Sequence, residues 1–194
     1  MSGFLSQSFE EASALPRQVL ADPHVKTVLQ KMVTLCAEAI TSNNRLFFCG
    51  NGGSCCDAMH AAEEFTGRFR KNRRALPAIA ISDPAHITCV GNDFGFDYIF
   101  SRYVEAHGRP RDILVILSTS GQSTNLIKAV ETAKEMGMSI LSFLGKDGGK
   151  LKGCATLECI IPSYQSERIQ EMHMTLLHLM IEGIERHLFP EQYA

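Results

Sequence analysis

The sequence predicts an α/β fold, a three-layer α-β-α sandwich on a five-stranded parallel sheet, and three observations predict it. Five short apolar runs lie at 46–49, 78–81, 113–117, 140–144 and 156–161, each ended by turn-forming or polar residues. Most are apolar at consecutive rather than alternating positions, the pattern of strands covered on both faces. Helical segments separate them, which suits right-handed crossovers between parallel neighbours.

The elements follow in order. The N-terminal 1–22 reads as an amphipathic polar segment. Over 23–40 the apolar residues Val25, Val28, Leu29, Met32, Val33, Cys36 and Ile40 recur at helical spacing, with Asp22 as a cap and Pro23 in the first turn. The strand at 46–49 breaks into Gly50-Asn51-Gly52-Gly53-Ser54 and a helix, and the strand at 113–117 breaks into Ser118-Thr119-Ser120-Gly121-Gln122-Ser123 and a helix over 124–136. The last segment, Ser166–Leu188, carries Ile169, Met172, Leu176, Leu177, Met180, Ile181 and Ile184 on a wide apolar face. No repeat or linker divides the chain. It reads as one domain over 1–194, with N-terminal helices in 1–43 ahead of an α/β core in 44–194.

Composition narrows the partners. Hydrophobic residues at 45%, charged residues at 21% and a formal charge of −2 describe a soluble globular protein without a basic field for nucleic acid. No run reaches membrane-spanning length, and the N-terminus lacks the pattern of a secretory signal. Seven cysteines with no CxxC pair argue against a disulfide framework and for a reducing cytoplasm. Cys55 and Cys56 suit plain buried or semi-buried thiols, although a helix N-terminus can lower a thiol pKa and make it sensitive to oxidation.

The two loops carry the first chemical signal. A glycine-rich turn between strand and helix offers backbone N–H groups and a positive helix end to an anion. It is neither GxGxxG nor a Walker loop, so a dinucleotide or nucleoside triphosphate does not fit. The bland alternative is a tight turn with Ser54 as N-cap. The second loop gathers hydroxyls, and a cradle of hydroxyls and N–H groups holds a phosphate without a lysine. Its bland alternative is a polar turn; if the two strands are neighbours, both loops face one crevice beyond their carboxyl ends, and each reinforces the other.

The helix after the first loop places His60 and Glu64 one turn apart on one face. They can chelate a divalent metal, or Glu64 can act as a base oriented by His60; a solvent-facing pair is the alternative. In the terminal helix Gln170, Glu171, His173 and His178 interrupt or border the apolar face. Gln170 and His178 are separated by about 80° around the axis and about 12 Å along it, near the limit for sharing one ligand from a single helix.

The stretches CGNGGSCCDAMHAAEE, AISDPAHITCVGNDFGFDYIFSRYVEA, ILSTSGQSTN and RIQEMHMTLLH, in this order, resemble the phosphoheptose isomerases of the sugar isomerase (SIS) domain superfamily, over nearly the whole chain. The resemblance implies the five-stranded α/β fold and an aldose–ketose isomerase acting on sedoheptulose 7-phosphate to give D-glycero-D-manno-heptose 7-phosphate. That is the first step towards ADP-heptose and the heptose of lipopolysaccharide core. It implies substrate contacts at Asn51, Gly52, Gly53, Glu64, Asn92, Asp93, Ser118, Thr119, Ser120, Ser123 and Gln170, and zinc held by His60, Glu64, Gln170 and His178. It also implies a homotetramer, assembled through the 1–43 helices, with active sites at subunit interfaces. The sequence departs from the common family wording at Cys55 and Cys56 and in the EQYA tail.

Moving a carbonyl between C2 and C1 needs a base for the carbon-bound proton and an acid for oxygen. Glu64 suits the base, His178 the acid, and zinc a Lewis acid. The axial gap between Gln170 and His178 suggests a site completed by terminal helices of different chains. A rival from another class is a non-enzymatic relative on the same scaffold that associates with the replication initiator DnaA; it would have no need of Glu64 and His178.

Overall fold

A computed structural model describes residues 2–194. Two helices lead the chain, α1 (Ser2–Ala21) and α2 (Pro23–Thr41). The core follows as β1 (Leu46–Gly50), α3 (Gly53–Thr66), β2 (Ala78–Ala80), α4 (Pro84–Asp93), α5 (Ser101–His107), β3 (Ile113–Ser118), α6 (Thr124–Glu135), β4 (Ser139–Gly145), β5 (Leu157–Ile161) and α7 (Ser166–Leu188). All five strands are parallel, in the order β2-β1-β3-β4-β5.

This order decides where a ligand can bind. The chain leaves β1 towards β2 on one side, and β3 stands on the other side of β1, so the loops after β1 and β3 diverge from a topological switch point. Their helices cover opposite faces. Leu46, Phe48, Val115, Leu117, Leu141 and Phe143 pack under α2, α3 and α7, whereas Phe47, Cys49, Leu114, Ile116, Ile140 and Leu144 pack under α4, α5 and α6. Burial on both faces is why these strands lack alternation.

Local chemistry explains the helix ends. Asp22 Oδ1 accepts the backbone N–H of His24 at 2.8 Å, and Pro23 opens α2 where a missing N–H costs nothing. Beneath α7 lie the predicted Ile169, Met172, Leu176, Leu177, Met180, Ile181 and Ile184, each contributing about 1.5–3 kcal/mol of gross apolar transfer. The sequence-derived strand bounds shift by a residue at several ends. Thr156, expected inside the last strand, instead accepts the Ile140 N–H through its hydroxyl at 3.0 Å just before β5 begins.

One cap differs from expectation. The helix after the first loop starts at Gly53, with Gly52 as its cap at φ +57°, and Ser54 is buried inside the first turn. A positive φ, open to glycine without a steric penalty, turns the chain two residues earlier than a cap at Ser54 would.

Candidate active site

The glycine loop after β1 and the hydroxyl loop after β3 meet as the strand order requires. Between them lies a cavity of about 60 Å³ lined by Asn51, Ser54, Leu117, Ser118, Thr119, Ser120, Ser123, Leu126 and Gln170. One water needs roughly 10–15 Å³ of such space, so this volume suits a group with several oxygens. The N-termini of α3 and α6 both open here, bringing partial positive charge and backbone donors.

The cavity walls are cross-braced. Asn51 Nδ2 donates to Asn125 Oδ1 at 3.0 Å and Asn125 Nδ2 donates back to Asn51 Oδ1 at 2.9 Å, tying the glycine loop to α6. Ser118 Oγ accepts the Gly121 N–H at 3.0 Å, and Ser120 Oγ accepts the Gln122 N–H at 3.2 Å. Gly121 has φ +61°, and a Cβ there would stand 1.9 Å from the Gly148 carbonyl oxygen, so this loop is shaped by backbone lying against backbone.

A second constellation stands further along α3. Ligand atoms of His60, Glu64 and His178 all lie within 4.8 Å of one another. His60 Nε2 is 3.4 Å from Glu64 Oε1, and the two imidazole centroids are 5.1 Å apart at 72°. Glu64, with its side chain 16% exposed, lies deeper than His60 at 46%. Phe69, in the loop after α3, stacks on His178 at 5.4 Å and 17°.

His178 Nε2 is buried and has no hydrogen-bond partner. Burial, His60 and Arg70 push the His178 pKa down while Glu64 opposes them, so the neutral ring with a free lone pair is favoured. Two imidazoles and a carboxylate around an orphaned nitrogen are a donor set that fits a divalent metal. Three residues before His60, Asp57 has an unpartnered buried Oδ2, and burial pushes its carboxyl up to about 6 against the pull of His60.

The two constellations are linked by α3 and α7 lying side by side and advancing together. Gln170 sits over Gly53, where an added Cβ would meet its Nε2 at 2.6 Å, while His178 faces His60 and Glu64. His60 is seven residues beyond Gly53, about 10 Å along the helix.

Comparison with known proteins agrees with this architecture. A family model described as SIS domain matches residues 9–145. A phosphoheptose isomerase from Fusobacterium nucleatum is 53% identical over 190 residues, 98% of this chain and 98% of its own length. Another, from Edwardsiella ictaluri, is 48% identical over 95% of this chain and 96% of its own. This chain belongs to the phosphoheptose isomerases of the SIS domain family. The solved structure of the Neisseria gonorrhoeae phosphoheptose isomerase shares its fold at a TM-score of 0.86 with 35% identity, covering 95% of this chain and 98% of that one.

Within this phosphoheptose isomerase fold the sequence-derived residues divide unevenly. Asn51, Ser118, Thr119, Ser120, Ser123 and Gln170 line the cavity, with Gly52 and Gly53 at its edge as cap and first residue of α3. His60, Glu64 and His178 gather beside it. Asn92 and Asp93 do not line the cavity; they end α4, exposed, with Asn92 Nδ2 donating to Asp93 Oδ1 at 2.7 Å and the Cys89 thiol donating to Asp93 Oδ2 at 3.6 Å.

α7 of the same chain brings His178 to Glu64, because separated residues of α7 meet separated residues of a parallel α3. One expectation needs correction. The Cys55 thiol is not lowered by the helix end; burial, together with the neighbouring Cys56, pushes it up. Asn125, Phe69 and Arg70 escaped the sequence reading. Asn125 was findable as the polar residue completing STN after the hydroxyl loop, whereas nothing in RFRKNRR announces a ring stacked on His178.

Proposed function

We propose that the protein isomerises sedoheptulose 7-phosphate to D-glycero-D-manno-heptose 7-phosphate. One observation carries this reading: a neutral oxyanion cavity under two helix N-termini stands next to a cluster holding one carboxylate and two imidazoles, all on one chain. The phosphate occupies the Asn51–Ser123 cavity, and the open sugar chain extends along α3 towards Glu64. The glycine and hydroxyl loops supply donors that leave the carbonyl end free to react.

Glu64 takes the proton from C1 of the ketose, electrons shift to form the enediol, and the proton returns to C2. Meanwhile a hydroxyl proton must leave O1 and one must reach O2. His178, kept neutral by burial, offers an N–H and a lone pair for that exchange. Gln170, reaching into the cavity from α7, orients the sugar between the two ends.

His60, Glu64 and His178 are the residues that would hold zinc, whereas the Gln170 amide lies against Gly53. When bound, zinc supplies Lewis-acid polarisation of the carbonyl. We further infer a homotetramer, supported by exposed Phe4, Leu5 and Phe9 on α1 and by Asn92 and Asp93 standing outside the cavity of their own chain, where an adjoining subunit could use them. A cytoplasmic setting is supported by seven free cysteines. No helix among the described residues is long and apolar enough to cross a membrane. The DnaA-associating alternative gains no support from the site, whose acid–base cluster such a protein would not use.

The test is direct. Purified protein with sedoheptulose 7-phosphate should yield aldose product, a chelator should suppress it, and Glu64→Gln should lower kcat by roughly 10²–10⁴ without loss of fold. No aldose from the zinc-replete wild type would reject the assignment.

A further inference from the structure

Glu64 lies in the last turn of α3, where helix carbonyls have no partners within the helix and the turn is prone to fray. In this chain the Glu64 and Phe65 carbonyls, with two carbonyls of the loop that follows, are gathered by one side chain from that loop, the Phe65 carbonyl also accepting the Leu76 N–H at 2.9 Å. Arg73 Nη2 donates to the Glu64 carbonyl at 2.6 Å, and Nη1 donates to the carbonyls of Phe65 and Gly67 at 2.8 Å each and of Arg74 at 3.2 Å. The guanidinium also brings positive charge to the negative end of the α3 dipole.

The other side of that guanidinium is held by α7. Arg73 Nε donates to Glu185 Oε1 at 2.8 Å, and the two side chains are 0% and 1% exposed. Glu185 then gathers the loop itself: its carboxylate accepts the N–H groups of Phe69 and Arg70 at 3.4 Å each and the hydroxyl of Tyr193 at 2.6 Å. Every acceptor and donor in this network therefore belongs to the end of α3, the loop after it, α7 or the C-terminal residues. Two of the anchored residues touch the candidate site, since Glu64 is its carboxylate and Phe69 is stacked on His178.

The geometry points to Arg73 and Glu185 as positioning residues, a buried clamp that sets the Glu64 carboxylate and the His178 ring against each other. The inference rests on the isomerase reading for what the positioned groups do, but the clamp itself is read from contacts. A buried ion pair is by itself weak evidence of stabilisation, because a well-packed apolar pair of similar volume is often as stable. What an apolar pair cannot supply is the row of donors to the last carbonyls of α3.

Two variants separate positioning from stability. Arg73→Lys keeps the charge and loses the fork; Arg73→Met/Glu185→Met removes the buried charges together. Both should fold, the double variant melting below the wild type because the Glu64 carbonyl and the Phe69 and Arg70 N–H groups lose these partners. In both, kcat should fall by roughly 10²-fold with KM little changed, the cost of a displaced catalytic group while the phosphate cradle is intact. Cobalt(II), titrated by visible absorption as a probe independent of turnover, should bind about 10–100-fold more weakly to both.

A double variant that folds and keeps wild-type kcat and cobalt affinity overturns the inference and leaves the isomerase reading standing. So does failure of both variants to fold, which assigns the clamp to stability. If the wild type binds cobalt but does not isomerise, the isomerase reading falls and cobalt affinity alone decides on the clamp. A wild type that does neither overturns both.

Discussion

His173 gives the sharpest test of the physical account, because its environment makes a signed, sizeable prediction. It is fully buried in α7 between Gln170 and His178, packs on Phe143 and donates from Nε2 to the Leu144 carbonyl at 3.2 Å. Its Nδ1 is buried without a partner. Burial pulls its pKa down to about 4, against a weaker upward pull from the Leu144 carbonyl, so the folded ring stays neutral.

Below pH 6.5 the unfolded ring takes a proton that the folded ring refuses. The stabilisation is thus full above pH 6.5 and is lost as pH falls towards 4. From 6.5 to about 4 is a gap of roughly 2.5, which at about 1.4 kcal/mol per pH unit amounts to about 3 kcal/mol. His173→Gln keeps a donor for Leu144 and cannot titrate. Urea unfolding of both proteins, at one fixed protein concentration, should show the wild type losing about 3 kcal/mol relative to the variant between pH 7.5 and 4. That is a midpoint shift of about 1 M or more for a slope of ~1–3 kcal/mol/M. Asp57, pushed up to about 6, contributes a slope of opposite sign in the overlapping window, but it is present in both proteins and cancels from the difference. Parallel pH profiles would refute the reasoning, since they require a folded His173 that protonates as readily as an unfolded one.

Two glycine substitutions should part company. Gly53→Ala adds a Cβ that meets only the movable end of Gln170, so KM for the sugar phosphate should rise while the melting temperature barely changes. Gly121→Ala drives a Cβ into the Gly148 backbone at a positive φ, and should cost both binding and about 1–3 kcal/mol of stability. Equal melting temperatures for the two variants would contradict this. Removing the α2 cap with Asp22→Ala should cost about 1 kcal/mol in urea unfolding and leave kcat alone.

Much of the fold was legible because its signals are local. Consecutive apolar residues mark strands covered on both faces, Asp22-Pro23 marks a helix start, and α7 ends where its apolar stripe ends. The two loops were legible for the same reason, each being a change of composition at the end of an apolar run. Ser54 misled because serine is a common cap, and only the backbone shows Gly52 taking that place through a positive φ. Asn92 and Asp93 were carried by motif likeness, and nothing local to VGNDFG states where the end of α4 will stand relative to the cavity.

The α/β class, the five strands to within a residue, α2, α6 and α7, the two loops and the pairing of His60 with Glu64 were written in the sequence, since each depends on residues within a few positions of one another, whereas α4 and α5 were not foreseen. Only the tertiary structure decided that β1 and β3 are neighbours, that α7 of the same chain delivers His178 to Glu64, and that Arg73 and Glu185, far apart in sequence, close the end of α3. Those decisions come from packing two helices in parallel over one sheet face. Helix spacing can announce which residues share a face, but which faces meet, and in what register, is settled by the buried core between them.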